Sequence, residues 1–175
     1  ASDWSSDVCS SDLHPKVSLF RPYRDTRFSS DKTPIKTNAA AHFPARQLLK
    51  RGGGFYFEVT PDWVWIGGGI YMPEAGDLLR IRERIAADHA KFRRILKASA
   101  FVSAVGTMQG ATLTRVPRGF PADHPAADLL RHKQFLASKE YPAEFAYDPA
   151  FYPELLKVFR AITPLVRFCN AAMLA

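Results

Sequence analysis

Arg21, Arg24 and Arg27 follow one another at three-residue intervals, with Lys32 and Lys36 close behind and Asp25 and Asp31 between them. A guanidinium group is a planar fork of donors, so two or three of them beside two ammonium groups suit a phosphate or carboxylate. With Arg46, Lys50 and Arg51, residues 21–51 carry eight basic residues against two acids, a net +6. Residues 1–20 sum to −2 and residues 52–175 to +3, so the excess is local. Arg21, Arg24, Arg27, Lys32 and Lys36 are therefore the candidate anion-binding residues, with Asp25 and Asp31 supporting them. If residues 21–27 are extended, Arg21, Asp25 and Arg27 share a face and Arg24 takes the other. Asp25 among guanidinium groups would be held ionised. Two other readings of the same residues stay open. Arg21–Asp25–Arg27 and Lys32–Asp31 would form an internal ion-pair network in a structural or partner-binding protein. Alternatively, a contiguous exposed basic face would bind nucleic acid, although no recognised nucleic-acid motif accompanies it.

A second polar cluster comprises Arg115, Arg118, Asp123, His124, Arg131, His132 and Lys133. His124 beside Asp123 or Asp128 has the makings of a general base. The plainer alternative has Asp123 capping a helix, His124 at the surface, and Arg131 and Lys133 on a solvated face; no nucleophile is marked out nearby. Gly67-Gly68-Gly69 precedes a helix start near Pro73, yet lacks both phosphate-loop spacings, so close packing or a bulge is the expectation. None of the histidines at 14, 42, 89, 124 and 132 has metal-ligand spacing, and no cofactor motif occurs, so no metal and no cofactor are expected. Ser29 and Ser30 lack the context of a hydrolase nucleophile. Two cysteines, Cys9 and Cys169, make no disulfide framework. Whether the chain is an enzyme is left open by these residues.

The elements that must position these groups follow from periodicity. Phe55, Phe57 and Val59 alternate with Tyr56, Glu58 and Thr60, Pro61-Asp62 makes a turn, and Trp63-Val-Trp-Ile66 returns. That hairpin, about residues 54–71, is the predicted centre of the sheet, and Trp63, Trp65, Phe55 and Phe57 are expected in the core. Val17–Arg24 and Asn38–Phe43 are predicted extended, as are Leu113–Val116 and Phe135–Tyr141. Pro73-Glu74 opens a helix carrying Leu78, Ile81 and Ile85, and a second runs from about Asp88 to Lys97, with Phe101–Val105 a short continuation. A last helix follows Asp148-Pro149, with an apolar stripe from Phe151 to Cys169 that Pro164 should kink or divide. Strands early and helices late favour an α+β fold with a mainly antiparallel sheet packed against several helices, including a long C-terminal one. The apolar fraction is 47%, no run approaches the roughly 20 apolar residues of a membrane span, and no secretory signal is recognisable, so a cytoplasmic domain with no membrane partner is expected. Ala1–Leu13, with its near-repeat of Ser-Ser-Asp, lacks any periodicity. It is expected to be a non-native, adapter-like tail, leaving residues 14–175 as a single α+β domain without its natural N-terminal part.

The run from Arg21 to Thr37 resembles the R-x-x-R-D-x-R-F-x-x-[DN]-K-x-x-Y hallmark of domain-of-unknown-function family 2461, a bacterial family. Gly67–Pro73, Arg115-Val-Pro-Arg118-Gly119, Asp123–Leu130 and Pro164-Leu-Val-Arg167-Phe168 also look like that family, so the likeness covers about residues 18–174. Ile35 stands where the family motif ends in tyrosine, so a function resting on that hydroxyl would be missing. The resemblance implies a helical segment before the arginine motif. It implies no established activity, substrate or cofactor.

Overall fold

The computed structural model describes residues 18–24, 27, 28, 30, 32–48 and 51–175; the tail through residue 13, with Cys9, and also Asp25, Ser29, Asp31 and Lys50 lie outside them. Four antiparallel strands form one sheet in the order β1-β2-β3-β4: β1 is Ala39–Pro44, β2 Gly54–Val59, β3 Trp63–Ile70 and β4 Phe135–Pro142. The predicted hairpin is β2–β3, with Phe57 opposite Ile66 and Glu58 opposite Trp65. Thr60 closes its turn: the Thr60 hydroxyl donates to the carbonyl of Trp63 at 2.9 Å and accepts from the Trp63 N–H at 3.0 Å. The described residues include five α-helices, α1 Ala75–Ala87, α2 His89–Leu96, α3 Ser99–Val105, α4 Ala127–Leu130 and α5 Phe151–Leu174, with β4 between α4 and α5. The fold is α+β, as the order of patterns implied.

Because side chains alternate across a strand, Phe55 and Phe57 leave β2 on the side opposite Tyr56 and Glu58. The phenylalanine side meets α5. Phe55 stacks on Phe159 at 4.8 Å between centroids, Phe43 meets the same ring at 6.0 Å, and Phe57 meets Phe151 at 6.0 Å. Helices α1–α3 pack against α5, where Phe92 contacts Phe168 at 4.8 Å and also meets Phe135 of β4 at 6.2 Å. Ile66, Ile81, Ile85, Leu130, Ile162 and Leu165 are fully buried in the same core. Each such side chain contributes roughly 1.5–3 kcal/mol of transfer free energy. One sheet face is therefore committed to packing, and the other is left for other uses.

Three expectations change. The strand foreseen at Leu113–Val116 is absent; the chain instead touches β4 and its approach through bridges at Gln109–Leu136 and Thr112–His132, earlier than the apolar run suggested. Helix α5 is not divided at Pro164. Pro164 is exposed, so the missing hydrogen bond falls on the solvent side, while Thr163 donates to the Phe159 carbonyl at 2.8 Å. Asp123 does not cap α4, which starts after Ala126 without a side-chain cap. The imidazole of His124 accepts the Ala126 N–H at 3.0 Å instead.

Candidate functional site

The residues on the unpacked sheet face follow from the register. His42 is opposite Tyr56, Tyr56 opposite Gly67, Trp65 between Glu58 and Glu140, and Gly69 between Gly54 and Leu136. Of these, His42, Gly54, Tyr56, Trp65, Gly69 and Leu136 floor a cavity of about 650 Å³, the size that holds a small organic molecule. Phe20 closes one side; Arg51, Gly52, Tyr71, Met72, Pro73 and Glu74 rim it. The aromatic rings stand steeply to one another: Phe20 to Tyr56 at 6.1 Å and 73°, and Tyr56 to Trp65 at 5.6 Å and 65°. Trp65 thus belongs to a cavity wall, not to the core expected of it, because it leaves β3 on the side opposite Val64 and Ile66.

Close packing at the triple glycine is what the structure shows. A Cβ on Gly67 would lie 2.5 Å from the Ala137 carbonyl, and one on Gly68 would lie 2.3 Å from that of Gly54. Bare backbone is the cavity's floor there. At the rim, Met72 is held at a φ of 47°, a left-handed conformation costly for a side-chain-bearing residue.

Arg51 is fixed from α1. Its Nη1 donates to both carboxylate oxygens of Asp77, at 3.1 and 3.3 Å, and Arg80 reaches the same acid at 3.2 Å. Asp77 is only 2% exposed and Arg51 remains 45% exposed, so a buried acid anchors a cation that still faces the opening. Both bonds use one nitrogen, which leaves the rest of the guanidinium fork unengaged among the described residues. On the other side, Tyr56 donates to Glu58 at 2.8 Å, and Asn38 donates to the same carboxylate. Burial first, and then the Glu58 charge, pushes the Tyr56 hydroxyl well above its ordinary range, so it remains a neutral donor.

Burial lowers His42 below its ordinary value near 6.5, and burial is also the chief cause of the lowering at His132. Both imidazoles are thus neutral in the fold at pH 7. The unfolded chain takes up protons near 6.5 before the folded protein does, so stability should fall as pH drops through that value. A second loss follows at lower pH. Arg93 holds Asp128 below its usual range, and Lys157, Tyr141 and Lys139 do so for Glu154, in each case against an opposing burial effect. Stability from those acids is present above their unfolded values and goes as pH falls through the folded ones. Urea midpoints should therefore decline from about pH 7.5 to about pH 5.5, and His42→Gln should flatten that decline. An equal slope in the variant would show that His42 carries no part of it.

The candidate residues of the basic segment stand on an arm. Leu19 bridges Ala41 and Tyr23 bridges Ile35; the N–H of Arg24 donates to Pro34 and that of Lys36 to Pro22. This pairing turns the chain back, so Arg27 lies in a turn and does not share an extended face with Arg21. Arg21, Arg24, Arg27 and Lys32 are exposed, and none lines the cavity. The arm meets the cavity through Phe20, over whose ring the Lys36 ammonium lies at 5.9 Å. Arg118, Asp123, His124 and Arg131 lie elsewhere. His89 contacts His124 edge-on at 5.8 Å, and Asp128 is bound by Arg93 at 2.6 and 3.1 Å and so is engaged away from His124. Buried Cys169, its thiol pushed up by burial, is poorly suited to nucleophilic work. Among the described residues, no three His, Cys, Asp or Glu side chains gather as a metal site requires, and no helix is long and apolar enough to cross a membrane.

The residues missed from sequence are His42, Tyr56, Trp65, Glu74 and the role of Arg51. The available signal was the alternation in β2, which leaves Tyr56 and Glu58 off the packed face. A family model described as conserved hypothetical protein (DUF2461) matches residues 4–168. The chain belongs to this family. No curated protein and no solved structure matches it. The family match spans both the arm and every strand of the sheet, so arm and cavity occur within one matched unit.

Proposed function

We propose that this domain binds a small organic anion in the open-face cavity, with the basic arm raising the local concentration of such ligands. The observation that carries this reading is the cavity itself: about 650 Å³, walled by Phe20, Tyr56 and Trp65 and rimmed by the half-exposed guanidinium of Arg51. An apolar enclosure with few polar groups is what a small-molecule site requires. Arg51 would take a carboxylate or phosphate through the part of its fork that Asp77 does not use. Arg21, Arg24, Arg27, Lys32 and Lys36 would act at longer range, from an arm attached at Phe20. Nothing in this reading requires a chemical step.

Calorimetry against a panel of small carboxylates and phosphate monoesters tests it. At least one should bind and raise the melting temperature. Arg51→Lys keeps the charge beside Asp77 but loses the fork, and should weaken that ligand about tenfold. Arg21→Gln with Lys36→Gln should weaken it a few-fold at low salt and hardly at all at about 1 M salt, where screening acts within roughly 3 Å. Failure of every anion to bind, or full affinity in Arg51→Lys, would end the proposal. Tight, steeply salt-dependent binding of an oligonucleotide by the arm alone would replace it.

A further inference from the structure

The end of the cavity opposite Arg51 has the chemistry of a cation site. We infer that the ligand is a zwitterion, with a substituted ammonium group seated against Phe20, Tyr56 and Trp65 and its acidic group toward Arg51. The inference rests on the anion reading above and adds a second pole to it.

Three rings at steep angles line this end. The face of an aromatic ring is the negative part of its quadrupole and attracts a cation within about 6 Å, most strongly for Trp. The Lys36 ammonium over the Phe20 ring already makes one such contact from this chain. Acids reinforce the sign. Trp65 lies directly between Glu58 on β2 and Glu140 on β4, and residues opposite one another in antiparallel strands share a face. Among the described residues, neither glutamate has a basic partner within salt-bridge range. The Tyr56 hydroxyl donates to Glu58, and a phenol that donates to a carboxylate has a more electron-rich ring. His42 is the remaining titratable group lining this wall, and burial keeps it neutral. A simple anion would thus meet Arg51 at one end and, at the other, ring faces backed by Glu58 and Glu140, which flank Trp65 without lining the cavity, whereas a zwitterion matches both ends.

Dimensions agree with this. Trp65 and Gly69 are four residues apart on β3, roughly 13 Å of strand. Side chains reaching inward from each end leave room for an ammonium and an acid separated by several methylenes. Bulky substitution on the nitrogen is favoured over a bare ammonium, because it lowers the hydration lost on entering the apolar enclosure.

Three matched probes decide the matter by calorimetry on the full chain: hexanoate, hexyltrimethylammonium, and ω-(trimethylammonio)hexanoate. The zwitterion should bind about tenfold more tightly than hexanoate, and hexyltrimethylammonium should bind detectably by itself. Trp65→Leu keeps an apolar side chain but removes the ring, and should cost the two ammonium probes about tenfold more than it costs hexanoate. Glu58→Gln keeps the hydrogen bond with Tyr56 and should weaken the same two probes several-fold. Equal affinity for hexanoate and the zwitterion, or unaltered ammonium binding in both folded variants, overturns the cation pole and leaves the anion reading standing. Binding of hexyltrimethylammonium with no binding of any acid overturns the anion reading instead, and with it the zwitterion.

Discussion

Asn170→Ala should lower the unfolding free energy by about 2–4 kcal/mol, with a fall in melting temperature of about 5–12 °C. Asn170 lies on α5 and is 6% exposed. Its carboxamide pairs with both backbone groups of one residue: Oδ1 accepts the Gly53 N–H at 2.8 Å, and Nδ2 donates to the Gly53 carbonyl at 3.1 Å. Alanine strands the buried Gly53 N–H and leaves the Gly53 carbonyl only the longer bond from the Ala45 N–H at 3.3 Å, and the stranded donor costs the desolvation already incurred on folding. Asn170→Asp is a sharper probe. It keeps the acceptor, loses the donor, faces the Gly53 carbonyl with a second oxygen and buries a charge, so it should cost at least as much. Urea denaturation of the three proteins provides the comparison, and a change below about 0.5 kcal/mol in both variants would remove this tie from the account. The effect should reach the site, because Gly53 lies between Gly52 and Gly54, both at the cavity. Ligand affinity should fall in Asn170→Ala at temperatures where it remains folded.

That pair also shows where sequence reading stops. The contact spans 117 residues, and neither an asparagine in an apolar helical stripe nor a glycine in Arg51-Gly-Gly-Gly announces its partner. The hairpin was legible because its signal is local: period-two alternation from Phe55 to Val59, a Pro-Asp turn and an apolar return strand are physical requirements of the structure they form. Helices α1, α2 and α5 were legible for the same reason. Which face of the sheet would remain open was not, since that depends on where α5 lands. Hence Trp65 reads as core in the sequence although it lines a wall, and Tyr56, which meets it at 5.6 Å, draws no notice. Charge density misleads in a different way. The arm holds five of the eight basic residues in 21–51, yet the cation lining the cavity is Arg51, the last of the eight, selected by a buried aspartate on a helix 26 residues away. Likewise the polar residues from Arg115 to Lys133 are neighbours in sequence, but a short loop disperses them, and His124 turns its nitrogen to the backbone of Ala126. The arm's first limb was legible as the extended run ending at Arg24, and the polar residues after it suit the turn at Arg27; the pairing of Arg24 with Pro34 and of Tyr23 with Ile35 that closes the turn is specified by no propensity.

Gly69→Ala should be the most damaging single-methyl change in the sheet, costing about 3 kcal/mol or more, whereas Gly76→Ala should be neutral or stabilise by up to about 1 kcal/mol. The two glycines are seven residues apart and differ in what surrounds them. Gly69 has a φ of +129°, and a Cβ built there would lie 2.0 Å from the Phe135 carbonyl and 2.9 Å from the Leu136 Cα. Those atoms belong to β4, which β3 holds by pairing from Trp63 to Ile70, so neither can yield without opening the ladder. The added methyl meets backbone, not a side chain that could change rotamer, and the strained φ remains even if the strands part. Gly76 sits in the first turn of α1 with nothing within 4 Å of its Cβ position, so alanine there gains helix propensity without a clash. The contrast also separates stability from site. Gly69 and Leu136 both line the cavity, and a strand displaced at that row would remove part of its floor. Amide exchange should therefore quicken from Phe135 to Ser138 in Gly69→Ala, with loss of ligand binding even below its melting temperature, while Gly76→Ala binds as the parent does. If the two variants melt within about 1 kcal/mol of each other, the crowding of β3 against β4 is not what fixes the cavity floor.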